Sequence, residues 1–374
     1  MKENLTKGLI GEKTVKAERL QSLDVLRGFD MFWIIGGDKI LREFIKWSNC
    51  PWLNKNVMPH THHEAWHGFK AYDLIFPLFI FITGVTLPFV FEKLLQKNES
   101  KTKIILKIIR RSLLLVLLGL IYNGMMQFHF SELRIPSVLG LIGMAYGVGA
   151  LIVLNFSIKR QLIIAVSMLV GFYFVMCFIP GTDLTATNTV ASYVDRFLLS
   201  GHLYHNGWDP EGVLYIAPAS VLVIFGALTG SFLKKKDFTG YRKSGILALA
   251  GLSFIIIAWA WNKLFPINKQ LWSSSFIVLT AGISAMLMAL FYLVIDVWKF
   301  RKMFFPFVLI GSNSIFIYMA YKAINFSHTS DFLFSGVINM FPKSFGGVLI
   351  ALSVVVTEVL LLWFLYRKKI FFKV

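Results

Sequence analysis

AYDLIFPLFIFITGVTLPFVF, residues 71–91, carries one charged residue, Asp73, at its start and then runs on without another. An α-helix needs about 20 predominantly apolar residues to cross the hydrocarbon core of a bilayer. The stretch therefore reads as a transmembrane helix over 70–92, and similar runs recur along the chain.

Composition extends that reading to the whole protein. The 374 residues are 56% hydrophobic and 16% charged, with a mean hydropathy of +0.66, far more apolar mass than one soluble core can bury. The expected fold class is an all-α integral membrane protein, a polytopic bundle of about ten transmembrane helices. The spans are expected near 23–47, 70–92, 104–125, 137–155, 161–180, 212–233, 244–265, 272–298, 304–324 and 346–367. Under this arrangement the Lys- and Arg-rich segments, among them EKLLQKNESKTKIILKIIRR, SIKR, KKKDFTGYRK and YRKKIFFKV, fall on one side. By the positive-inside rule that side is cytoplasmic and holds both termini. Residues 1–22 and 368–374 are then cytoplasmic tails around a membrane domain at 23–367, and the polar, basic N-terminus fits no secretory signal. The expected location is multi-pass in a cell's inner membrane.

The net charge of +18 is accounted for by this topology, and no aromatic-basic recognition module points to nucleic acid. Cys50 and Cys177 lie far apart and suggest neither a disulfide framework nor a thiolate metal site. Gly226 and Gly230, and the series Gly140, Gly143 and Gly147, are the small residues that let membrane helices approach closely.

Charges inside spans are costly and need partners or a task. Asp24 and Arg27, three apart in the first helix, share a face and can pair. Asp38 follows Gly36 and Gly37 near the outer end, with Lys39 and Arg42 as candidate partners and a site role as the other reading. Asp73 can cap the second helix or serve a site. Glu358 has no charged neighbour in its own span and must face the bundle interior.

Outside segments 48–69, 126–136, 181–211, 266–271 and 325–345 hold the histidines, densest in HTHHEAWHGFKAYDLIFP from His60 to Pro77. His63 to His67 spells H-E-x-x-H, but Pro59 before it and Gly68 after it leave too little helix for a zincin site. No metal is expected. A lone imidazole near neutral pH suits proton transfer or acyl acceptance.

The ordered set RLQSLDVLRGFDMFWIIGGD, HEAWHGFKAYDLIFPLFIFITG, RIPSVLGLIGMAY, YVDRFLLSGHLYH, DPEGVL, PINKQLWSSSF, FFPFVLIGSNSIFIYM and LYRKKIFFKV resembles the heparan-α-glucosaminide N-acetyltransferase family, as a bacterial homologue would. Any one motif is weak, and the order is what is specific. The resemblance implies transfer of acetyl from cytoplasmic acetyl-CoA to the amine of a glucosamine-type sugar on the far face. It places the active-site histidine of H-x-x-W-x-G at His63, with Trp66 and Gly68 completing the motif. The family's partner asparagine falls on Asp38, a departure in residue type.

On that basis His63 and Asp38 are the expected catalytic pair, Asp38 holding the imidazole while His63 deprotonates the amine or carries the acetyl group. Arg134, Asn313 and Ser314 are candidates for CoA or substrate contacts, with Trp66 and Asp73 beside them. Asp209 and Glu211 either bind a cationic aminosugar or tie down their loop. The expected partners are the bilayer, acetyl-CoA and an aminosugar or glycan acceptor, and a homodimer is compatible with them. A sugar transporter, or an acyltransferase for another cell-envelope glycan, is the competing reading.

Overall fold

The computed structural model describes residues 20–204 and 207–372. Most of the expected N-terminal tail and the last two residues of the C-terminal one lie outside the described residues. Among the described residues the regular structure is all helical, in chain order α1 (Gln21–Phe32), α2 (Asp38–Ser48), α3 (Pro51–Asn56), α4 (Ile75–Gln96), α5 (Lys101–Tyr122), α6 (Val138–Asn155), α7 (Ile158–Phe178) and α8 (Val190–Leu199). There follow α9 (Ile216–Lys234), α10 (Gly240–Trp261), α11 (Ser274–Phe291), α12 (Phe305–Ser312), α13 (Ser314–Ala323), α14 (Phe326–Ile338) and α15 (Lys343–Arg367).

Helices stand at all ten expected positions, but seven are both long and apolar enough to span a membrane, or eight if α12 and α13 form one bent span. The protein is thus a multi-pass membrane protein. The other two positions are helical yet highly charged: α1–α2 carries Asp24, Arg27, Asp30, Asp38, Lys39 and Arg42, and α5 carries Lys107, Arg110 and Arg111. Three short helices in the connections, α3, α8 and α14, were not expected, because each is too short to give a strong apolar period.

Burial separates a centre from a periphery. In their most apolar stretches 72% of residues in the α9 span and 67% in the α4 and α11 spans are buried, against 28% for α7 and 22% for α10. The α4–α9 contact is built on glycine, since a Cβ at Gly84 would strike the Val223 carbonyl, one at Gly226 the Phe81 carbonyl and one at Gly230 the Val85 carbonyl. This is the close helix approach that small residues permit in a membrane. Gly143 likewise packs on the backbone of α5 at Ser112.

Two irregularities shape the rest. Between α1 and α2 a π-helical turn, Trp33–Gly37, contains Gly36 at φ 148°, a conformation that favours glycine. A side chain there would also press on Val355 of α15. The second break bends the α12–α13 pair by 66°, at Asn313. Asn313 Nδ2 donates to the Ile370 carbonyl (3.0 Å) and its Oδ1 accepts from the Phe372 N–H (2.9 Å), so the C-terminal segment folds back against the break, where Phe372 stacks on Phe316.

The bundle ends differ in character. At one, Asp296 accepts the Gln21 and Ser22 N–H groups and so caps α1, whose own Leu20 cannot. Lys234 pairs with Glu92 there (2.7 Å). At the other end the connections 48–74, 123–137, 179–215 and 262–273 bond to one another, and this histidine face holds the polar chemistry. Glu358 is completely buried in α15, as its isolation in the sequence required. Asp24 and Arg27 form the expected pair, 3.6 Å apart.

Candidate active site

The segment carrying H-E-x-x-H is irregular, and the next helical turn begins only at Ala71. Its histidines therefore face different partners. His60 Nδ1 accepts from the Ala71 N–H (3.2 Å), His62 Nε2 lies 3.3 Å from Arg42, and His67 Nδ1 lies 3.3 Å from the Asn268 amide. A zincin requires two histidines on one helix face, and this geometry does not supply it.

His63 is held in another way. Its Nδ1 donates to Asp73 Oδ1 at 2.7 Å, and while the imidazole is 44% exposed the carboxylate is fully buried. Asp73 Oδ2 accepts the backbone N–H groups of Lys70 (2.9 Å) and Glu64 (3.3 Å). One carboxylate thus caps the start of the α4 span with one oxygen and fixes the His63 ring with the other. The Tyr72 ring packs on the imidazole, centroids 4.7 Å apart. With the proton on Nδ1 satisfied by Asp73, Nε2 carries the lone pair of the ring and is the nitrogen that can accept a proton.

The partner expected from the sequence is not the one observed. Asp38 bonds Arg42 Nη2 at 2.5 Å, one helical turn along α2, a spacing that favours such a pair. Asp38 is consumed by its own helix, and Arg42 relays it to His62 instead of His63.

Lys269 completes the cluster, and sequence reasoning missed it. Its Nζ lies 2.9 Å from His63 Nδ1 and 3.0 Å from Nε2, and 4.0 Å from Asp73 Oδ1. The loop that delivers it is bonded within itself and to its neighbours. Gly68 N–H bonds the Ile267 carbonyl (2.8 Å), Asn268 Oδ1 accepts from Leu271 N–H (3.0 Å) and Asn268 N–H bonds Ser273 Oγ (3.0 Å). Trp272 Nε1 donates to the Pro210 carbonyl at 2.9 Å, tying this loop to the next. The one available signal was a cation flanked by rigidifying residues in PINKQLW, a short outside segment.

Arg134, Asp209 and Glu211 do converge. Arg134 Nε and Nη2 grip Asp209 at 2.8 and 2.7 Å, and Nη2 also bonds Glu211. Asp209, fully buried, additionally accepts the Tyr204 and Glu211 N–H groups at 2.8 and 3.0 Å. Every lone pair of Asp209 aimed at the loop is used, so of its two readings the geometry realises loop anchorage. Burial pushes the Glu211 carboxyl up to about 7 against the opposing charge of Arg134. Glu211 also acts on Lys269 through space, which links the clamp to the His63 cluster.

Trp66 donates its indole N–H to the Leu184 carbonyl (3.1 Å) and packs edge-on to Trp208 (5.7 Å). It pins the long 179–215 connection over the His63 segment. Among the described residues no contact brings Asn313 or Ser314 to this cluster. Asn313 holds the C-terminal segment as described, and Ser314 starts α13.

Comparison with known proteins gives two kinds of match. A family model described as a domain of unknown function (DUF5009) covers residues 19–161. Heparan-alpha-glucosaminide N-acetyltransferase of Homo sapiens is 26% identical over 421 residues, covering 95% of this chain and 60% of that protein. The chain is homologous to this acetyltransferase. The Mus musculus protein of the same name gives 26% over 431 residues, 96% of this chain and 61% of the relative. The chain spans about three fifths of the length of these relatives.

Proposed function

We propose that this protein is a membrane-embedded acetyltransferase that uses acetyl-CoA as donor and the amine of a glucosamine-type sugar as acceptor. The observation that carries the reading is the His63–Asp73 pair, a solvent-accessible imidazole held by a buried carboxylate, in a chain homologous to N-acetyltransferases. Donor arrives from the basic, cytoplasmic face and acceptor at the histidine face, in an inner cell membrane.

In the reaction Asp73 orients the ring and stabilises the imidazolium that forms. His63 Nε2 takes the proton of the attacking amine as the new C–N bond forms at the thioester carbonyl. The C–S bond breaks, the electron pair leaves on sulfur, and the proton passes from His63 to the thiolate. Trp66 and the Arg134–Asp209–Glu211 clamp hold the loops that frame this position. The chemistry needs no metal.

The test is direct. Purified full-length protein, radiolabelled acetyl-CoA and free glucosamine should yield N-acetylated product without a membrane gradient, and His63→Ala should yield none while remaining folded. Sugar flux into proteoliposomes without acetylated product would overturn the proposal in favour of transport.

A further inference from the structure

The Lys269 ammonium contacts the imidazole that the preceding reading makes the base, and that reading assigns it no role. Its position is costly. The side chain is 16% exposed, among Asp73, His63 and the field of Glu211, and a desolvated ammonium is tolerated only where opposite charge compensates it. The 266–273 loop is bonded to Gly68 and Pro210, so its backbone holds Lys269 beside the cluster.

Its distances define what it can touch. An amine hydrogen-bonded to His63 Nε2 sits about 3 Å from that nitrogen. Nζ is itself 3.0 Å from Nε2. Nζ thus borders the position that such an amine takes, and a carbonyl presented on the Nζ side of the amine meets the ammonium. A static pairing role is a poorer fit. Asp73 already has His63 and two backbone N–H groups at 2.7 to 3.3 Å, and Lys269 is its most distant partner at 4.0 Å.

We infer that Lys269 is the electrophilic residue of the acetyl transfer, its ammonium donating a hydrogen bond to the thioester carbonyl oxygen as that oxygen becomes an oxyanion. When the amine adds, the carbonyl π pair moves onto oxygen, and the Lys269 N–H stabilises that charge. When the intermediate collapses, the pair returns, the C–S bond breaks and CoA leaves as a thiolate that takes its proton from His63. Lys269 begins and ends protonated, so atoms and charge balance without a further reactant. Such donors matter most where water is excluded and the dipole or charge is already in place.

Titration gives the inference a signature. Burial lowers the Lys269 value from that of an ordinary lysine, while the Asp73 and Glu211 charges oppose the shift. His63, Asp73 and Glu211 are the titratable groups that face it, with Arg134 beyond Glu211. Loss of the ammonium then ends transfer on the alkaline side at a pH below the usual lysine range. Arginine keeps its charge throughout that range.

The inference rests on the acetyltransferase reading, and one set of assays separates the two. Wild type, Lys269→Met, Lys269→Arg and His63→Ala are compared for kcat, KM and the pH profile with acetyl-CoA and glucosamine. Expected are a kcat loss of about 10²- to 10³-fold in K269M with KM little changed. K269R should retain partial activity and lose the alkaline fall. Wild-type kcat in K269M alongside an inactive H63A would overturn the Lys269 role alone. Absence of transfer by the wild type would overturn the reading beneath it. If K269M fails to fold, an alkaline limb in K269R identical to that of wild type overturns the role.

Discussion

His63 Nδ1 stands 2.7 Å from Asp73 Oδ1, and the second oxygen of the same carboxylate holds the backbone turn that starts the α4 span. The ring orientation is thereby fixed to the start of a membrane span and not only to the irregular segment that carries it. Asp73→Asn keeps an oxygen for the cap but offers an amide N–H toward the ring, which favours the wrong tautomer. Steady-state assays of D73N should show a kcat loss of about 10²- to 10⁴-fold in a protein that still elutes as a folded species. Asp38→Asn should cost far less, because Asp38 serves Arg42. The reverse order of effects would restore Asp38 as the partner.

The contrast between these two aspartates shows where sequence reasoning stops. Hydropathy located α4 from 71–91 alone because crossing a bilayer is a property of one contiguous segment. His63 became a candidate through H-x-x-W-x-G, a local pattern. The capping reading of Asp73 was also local, and it held. Which carboxylate meets the ring depends on a ten-residue loop, and the i,i+4 pairing of Asp38 with Arg42 engages the candidate that the resemblance implied. Lys269 lies 206 positions from His63, and no periodicity or spacing connects two loops that meet only when α4 and α11 pack. The bend at Asn313 was invisible for the same reason, since its amide answers to the backbone of residues 370–372.

Arg134 holds two carboxylates, one of them fully buried. Removing one partner of a buried ion pair leaves an uncompensated charge and typically costs about 3–5 kcal/mol. Arg134→Met should lower the melting temperature of the purified protein strongly, and the triple variant that adds Asp209→Asn and Glu211→Gln should recover part of that loss. A melting curve for R134M superimposable on wild type would show that the clamp does not anchor the loops.

Two carboxyls of the histidine face give stability a pH dependence of definite sign. Burial pushes Asp195 up to about 6, against the Val213 N–H that it accepts, and Glu211 up to about 7. Both folded values exceed those of free side chains, so the folded state binds protons more readily than the unfolded one. Their contribution is full below the ordinary carboxylate range near pH 4 and is lost as pH rises through 6 and 7. Thermal unfolding followed from pH 4.5 to 8 should show this decline, and Asp195→Asn should flatten its lower part. A steeper decline in D195N would contradict the assignment.

Glycine at 226 is a requirement of the α4–α9 contact and glycine at 171 is not. A Cβ at Gly226 would meet the Phe81 carbonyl and the Val85 nitrogen, groups that cannot move without opening α4, whereas a Cβ at Gly171 meets nothing within 4 Å. Overpacking of this kind costs about 1–3 kcal/mol, and here it pushes on the helix that follows directly from the turn carrying Asp73. Gly226→Ala should therefore lower both thermal stability and transfer rate. In Gly171→Ala the helix loses a residue of poor helical propensity without a clash, so stability should hold or rise by up to about 1 kcal/mol. Equal effects of the two substitutions on melting would mean that the close approach of α4 and α9 does not limit stability.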